Sequence, residues 1–346
     1  MAGKEVPQTR VKATSRARPR ILPLIRARSP KNVDMVRDKN VDQPITYLGG
    51  IVLCAAGELG MSELTVAAVA LSSAFSSGVS AVLLKYSTRK ISPLTANFLR
   101  SLSGALILGL IVTALGEGVA LPSLKALALI VYVSFTGPLL AWYLYAKSLS
   151  LGDVTLVHPV VNTYPFVAIL VGSAFIGSSV SVLDLAGGVL IVVGLREVVK
   201  SSENSKPGSV SLKVLALSGA VAFLWGINTV VLKYLTSLSD PLILALYRSG
   251  LAATFMLPLV LARKRTLNSL RHAAAALGAG FTSDTLGVIS FLLSLQLGEL
   301  ATASILTSTS PLFSAFLSQV FLKEKPPENR WLGIALIVAG IALVSA

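Results

Sequence analysis

The chain has 346 residues, of which 53% are hydrophobic and 13% charged, and its mean hydropathy is +0.76. A soluble domain carries about 25% charged residues, so this composition excludes an ordinary soluble enzyme and points to a polytopic membrane protein. One cysteine, Cys54, and two histidines exclude a disulfide framework within the chain and a Cys- or His-rich metal cluster, and no G-x-x-x-x-G-K-[ST] phosphate loop is present to drive an ATP-powered pump.

The net charge of +14 is uneven: residues 1–44 hold 11 Lys/Arg against 4 Asp/Glu. Arg16, Arg18, Arg20, Arg26 and Arg28 alternate there with Pro19, Pro23 and Pro30, without a sustained apolar face, so 1–63 is expected to be a basic, disordered extension. Such a segment is either a solvated tail, sequence upstream of a start at Met61, or a contact for anionic lipid; nucleic acid is not an expected partner. The apolar stretch 45–57 is shorter than the roughly 20 residues a spanning helix needs.

From residue 64 onward apolar runs come at membrane length. The expected spans are 64–86, 93–114, 125–149, 154–174, 181–199, 212–234, 241–262, 274–297, 300–321 and 328–346. Backbone groups in lipid must be satisfied internally, which makes these helices. The fold class expected is thus an all-α membrane protein of ten transmembrane helices.

The chain also repeats itself. With a shift of 148, Phe75, Gly78, Lys85 and Tyr86 fall on Phe223, Gly226, Lys233 and Tyr234, and Pro93 and Arg100 fall on Pro241 and Arg248. With a shift of 146, Phe135-Thr136 meets Phe281-Thr282, Pro165 meets Pro311, and Gly187 and Gly194 meet Gly333 and Gly340. Two five-helix halves, 64–199 and 212–346, joined by a polar linker over 200–211, account for this. Five is odd, so the second half enters the membrane from the opposite side, giving the inverted repeats of alternating-access transporters.

The residues that carry a family resemblance are the stretch from Gly226 to Lys233, Pro241 with Arg248, Ser308 to Pro311 leading to Phe321 to Glu324, and Trp331 to Gly340. With their first-half counterparts they resemble the EamA-type domain of the drug/metabolite transporter superfamily over about 65–346. The first half departs from it at Ser178, which stands opposite Glu324. The resemblance implies a ten-helix carrier of small metabolites, often amino acids or related compounds, that uses no cofactor.

Several residues are candidates for substrate binding. Charges inside a span cost about 2.5–3.5 kcal/mol each on insertion scales and tend to face the interior. Arg100 and Arg248 can hold a carboxylate or phosphate through a planar fork, or tie helices together through backbone carbonyls. Asp284 lies mid-helix opposite Pro138, and is read as a proton-coupling carboxylate, a counter-charge for an amino group, or a packed hydrogen-bonded residue. His158, Asn162 and Tyr164 with Pro159 and Pro165, and Ser304, Thr307 and Ser308 with Pro311, make two polar, proline-broken helices that are expected to wall the substrate path. Trp142, Tyr143 and Tyr145 are read either as lining the cavity or, by preference, as packing against lipid. Gly187/Gly194 and Gly333/Gly340 place small residues on one face of the fifth and tenth helices, for close packing.

The expected function is secondary transport, as exporter or exchanger, of a small polar metabolite in the cell membrane. Protons are a candidate co-substrate and a second copy of the chain a candidate partner. A channel, a scaffold and an intramembrane enzyme are the competing classes. Loops after odd-numbered helices carry 15 Lys/Arg against two after even-numbered ones, which places Ala346 outside the cytoplasm.

Overall fold

The structure is a computed structural model that describes residues 62–116, 122–176, 182–205, 212–263, 269–297, 303 and 306–343. The expected basic extension lies almost wholly outside these residues. The described chain forms helices α1 (Ser62–Ser87), α2 (Pro93–Ala114), α3 (Leu124–Leu151), α4 (broken into Val154–Val161 and Tyr164–Ile176) and α5 (Val182–Ser205). After the polar linker follow α6 (Leu212–Leu235), α7 (Pro241–Leu261), α8 (Leu270–Leu297), α9 (Ser310–Leu322) and α10 (Glu328–Leu343).

Helix ends follow local chemistry. Pro93 and Pro241 open α2 and α7, where a missing N–H costs nothing. The preceding residues cap them: Ser92 Oγ accepts from Thr95 N at 3.1 Å, and Asp240 Oδ1 accepts from Leu242 N and Ile243 N at 2.8 and 3.2 Å. Helix α4 breaks at Asn162-Thr163 because Pro165 cannot donate back into the first segment.

Among the described residues seven helices are long and apolar enough to cross a membrane: α1 to α4 and α6 to α8. The fifth, ninth and tenth expected spans differ. Helix α5 carries Asp184, Arg196, Glu197 and Lys200, α10 is described over 16 residues, and α9 is described over Ser310–Leu322, the expected start near 300 lying largely outside the described residues. Outward faces are apolar: Leu106 and Leu110 on α2, Val189 and Val192 on α5, and Phe316 and Val320 on α9 are all exposed, as lipid requires.

The two halves interlock rather than stand side by side. Helix α1 packs on α8 and α9, and correspondingly α6 packs on α3 and α4; α2 meets α7, and α5 meets α10. The α5–α10 contact is set by the paired glycines. A Cβ on Gly194 would lie 2.7 Å from the Gly333 carbonyl oxygen, and one on Gly340 would lie 2.7 Å from that of Gly187. Real side chains do not fit there, so glycine brings the backbones together.

The repeat extends to the backbone. Helices α3 and α8 each widen into a π-helical stretch at matching positions, Phe135–Ala141 and Phe281–Gly287. Such widenings cluster at functional sites. Lys85 Nζ donates to the carbonyls of Leu149 and Gly152 at the end of α3, and Lys233 Nζ donates to the Leu295 carbonyl at the end of α8.

Candidate functional site

A cavity of about 110 Å³ lies between the halves, where α1, α3, α4, α6, α7, α8 and the start of α9 converge. Its polar wall comprises Ser73, Ser77, Asn162, Asn228, Thr229, Ser283 and Thr307, with the Arg248 guanidinium. Its apolar wall includes Trp142, Tyr164, Trp225 and Phe291. The indoles of Trp142 and Trp225 are 5.4 Å apart between centroids, and Tyr164 stands edge-on to Trp225 at 6.1 Å.

Three buried charges lie in or behind this wall. The π stretch of α3 frees carbonyls toward α2: Asn97 Nδ2 donates to Pro138 O at 2.9 Å, and Arg100 Nη2 reaches the same oxygen at 3.3 Å. Asn97 Oδ1 in turn accepts from Arg100 Nε at 3.0 Å. Arg100 Nη1 bonds Ser283 Oγ at 3.3 Å and forms an ion pair with Asp284 Oδ1. The Trp142 ring lies under the Arg100 guanidinium, 3.9 Å from its Cζ. Asp284 fits because Gly104 has no side chain; a Cβ there would overlap the Asp284 Cβ. Arg100 is thus bound to other helices and satisfied, and Asp284 serves as its counter-ion.

Arg248 is placed differently. It is buried and lines the cavity, yet among the described residues it has no hydrogen-bond acceptor, and its Nε is fully enclosed without one. Asp284 lies within electrostatic reach of it but bonds Arg100.

The remaining expected site residues divide. Asn162, Tyr164 and Thr307 face the cavity. His158 lies behind them, its Nδ1 2.6 Å from the Tyr145 hydroxyl and its Nε2 3.1 Å from Ser310 Oγ. Ser310 Oγ donates to Asn162 Oδ1 at 2.9 Å, so His158 fixes the pose of a wall residue rather than facing solute. Ser308 bonds the Tyr164 hydroxyl. Ser304 is outside the described residues. The expectation that Trp142 and Tyr145 face lipid is corrected: Trp142 lines the cavity and Tyr145 is buried, because the π stretch of α3 turns this face toward α2 and α6. Trp225 and Asn228, absent from the expected set, also line it. Their signal in the sequence was a Trp and an Asn three residues apart in the middle of α6.

A second polar cluster joins the halves at one end of the bundle. Helix α9 ends where Lys323 adopts the left-handed conformation, φ 58°, and turns the chain back. Glu324 then accepts from the N–H groups of Val154 and Thr155 at 3.1 and 3.4 Å, capping α4 from the other half. Arg330 Nη1 donates to Thr155 Oγ1 at 2.6 Å and lies 3.7 Å from Asp153. Burial pushes the Glu324 carboxyl above its ordinary 4.5, against the α4 N–H bonds and Lys85, which lower it.

The model of the EamA-like transporter family matches this chain twice, over residues 64–199 and 212–346. The chain belongs to the EamA-like transporter family. Among similar proteins, an uncharacterized transporter of Archaeoglobus fulgidus is 24% identical over 260 residues, 74% of this chain and 89% of that protein. The uncharacterized transporter YdfC of Bacillus subtilis is 31% identical over 106 residues, 30% of this chain and 33% of that one. A solved crystal structure that is 18% identical superposes with a TM-score of 0.58, covering 79% of this chain and 96% of that chain, and shares the fold. This EamA protein is therefore a multi-pass membrane protein of transporter type, built as two repeats.

Proposed function

We propose that the chain is a secondary carrier of ten spans in two inverted five-helix halves. It moves a small polar metabolite through the cavity between them by alternating access, as exporter or exchanger, across the cell membrane. The observation that carries this reading is the cavity itself. It is walled by both halves, by the broken helix α4 and the start of α9, and it holds a buried cation. Irregular backbone at membrane depth is tolerated where it lines such a space. Helices α5 and α10 are then the peripheral packing pair, and the basic odd-numbered loops face the cytoplasm.

The test is cysteine accessibility in a Cys54→Ala background. Cysteines at Asn162, Asn228 and Thr307 should react with a membrane-impermeant thiol reagent applied from either side of the membrane. Cysteines at Leu106 and Val192 on the outer face should not. Labelling of all three cavity positions from one side only would favour a static scaffold, and passage of the reagent itself through the protein would favour a channel. Uptake of a labelled metabolite panel into proteoliposomes, with and without a pH gradient, then finds the solute and its coupling.

A further inference from the structure

Arg100 and Arg248 occupy equivalent places in the two halves, yet most of the side chains that satisfy the first are missing around the second. With the repeat shifts of 148 for α2/α7 and 146 for α3/α8, Asn97 becomes Ala245, Ser283 corresponds to Gly137, Asp284 to Pro138, and Trp142 to Val288. Three of the side-chain acceptors of Arg100, and the ring beneath it, are thus replaced by residues that cannot serve; the fourth, Ser101, whose Oγ accepts from Arg100 Nη2 at 3.0 Å, is matched by Ser249. The equivalence is physical as well as formal: a Cβ on Gly137 would lie 3.8 Å from Arg248 Nη2. A guanidinium enclosed without acceptors is unfavourable, because desolvation is uncompensated. Two guanidinium groups and one carboxylate also leave a net positive charge in the buried region.

We infer that Arg248 is the binding group for the carboxylate of an anionic solute, whose apolar or aromatic body lies against Trp142, Trp225 and Tyr164. The inference rests on the carrier reading of the cavity and names its solute class. Amines are disfavoured, since among the described residues the cavity wall holds no carboxylate and Asp284 is engaged by Arg100. A zwitterion is disfavoured for the same reason. The acceptor pair of a carboxylate matches the donor fork of arginine, and the solute supplies the charge that the second half lacks.

The experiment uses the full chain with Trp331→Phe in lipid nanodiscs, so that emission comes from Trp142 and Trp225, and reads it on titration with four phenyl probes: phenylacetate, phenylacetamide, phenethylamine and phenylalanine. Phenylacetate should quench or shift the emission saturably. The amide should bind at least about tenfold more weakly, the loss expected for a charge-assisted contact, and the amine and the zwitterion more weakly than the carboxylate. In Arg248→Gln the carboxylate and amide should become equal, with the melting temperature showing that the variant is folded. In Arg248→Lys part of the preference should return. Equal binding of carboxylate and amide by the parent chain, a preference for phenethylamine or phenylalanine, a preference that survives in Arg248→Gln, or no response to any probe would overturn the inference. The cysteine labelling needs no solute, so intact two-sided labelling with no carboxylate preference removes the anion assignment and leaves the carrier reading standing.

Discussion

The two arginines compare one design under two sets of neighbours. Arg100 is held by Asn97, Ser283 and Asp284 over the Trp142 ring, and fixes α2 against α3 and α8. Arg248, at the matching point of α7, has Ala245, Gly137, Pro138 and Val288 at the corresponding positions and lines the cavity. A duplicated charge can therefore become structural in one half and available in the other. What changed was the set of acceptors around it rather than the arginine itself.

The largest effect expected from breaking this comparison is at the satisfied arginine. Arg100→Gln should destabilise the fold by about 3–5 kcal/mol, since it strands a buried Asp284. Asp284→Asn should cost a comparable amount, and a double-mutant cycle of thermal unfolding in detergent should give strong coupling between the two. Such coupling would assign Asp284 to the scaffold rather than to transport chemistry; a well-folded Asp284→Asn of unchanged stability would reverse that.

Where the halves agree, the effects should agree. Lys85→Met and Lys233→Met each remove an ammonium from the carbonyl end of a helix, α3 and α8, and each should cost about 1–2 kcal/mol. Unequal losses in unfolding midpoints would show that this matched pair has diverged as well.

At the end cluster the halves differ again, Glu324 against Ser178. Glu324→Ala should cost about 1 kcal/mol through loss of the α4 cap. The pH response has a definite sign. The Glu324 carboxyl is raised by burial, so the folded, joined arrangement binds its proton more tightly than the opened chain does. Its contribution should therefore favour the joined state more as pH falls toward 4.5, and should fade as pH rises through the raised value. Melting temperature against pH should lose this slope in Glu324→Gln; a slope of opposite sign in the parent chain would refute it.

The smallest change is expected at the unsatisfied arginine. Arg248→Gln removes an uncompensated buried charge, so the solute-free protein should stay within about 1 kcal/mol of the parent or gain stability. A loss as large as that of Arg100→Gln would mean that Arg248 is structural after all, and the contrast between the halves would vanish.

Much of the architecture was legible in residue order alone. Pro93 and Pro241 with their capping neighbours mark helix starts, and the span 93–114 agrees with α2 at both ends. The paired glycines of α5 and α10 meet as their spacing suggests, because helical periodicity and the size of a side chain are local properties. The repeat was equally visible, since identical local instructions recur at a constant shift. The fifth span was underestimated at its C-terminal end, where α5 continues to Ser205, because a helix can run past the apolar stretch into charged residues.

Which buried groups meet was decided only by the tertiary structure. Arg100 and Asp284 are 184 residues apart, and their pairing depends on how α2 lies across α8, on the space left by Gly104 and on the π widening of α8. The inward turn of Trp142, and its meeting with Trp225 from the other half, depend on the widening of α3. A sequence states that a charge or a ring sits inside the membrane and must be satisfied there. Its partner comes from an element distant in the chain, through contacts that no local periodicity encodes, and that is where Arg100 and Arg248 part.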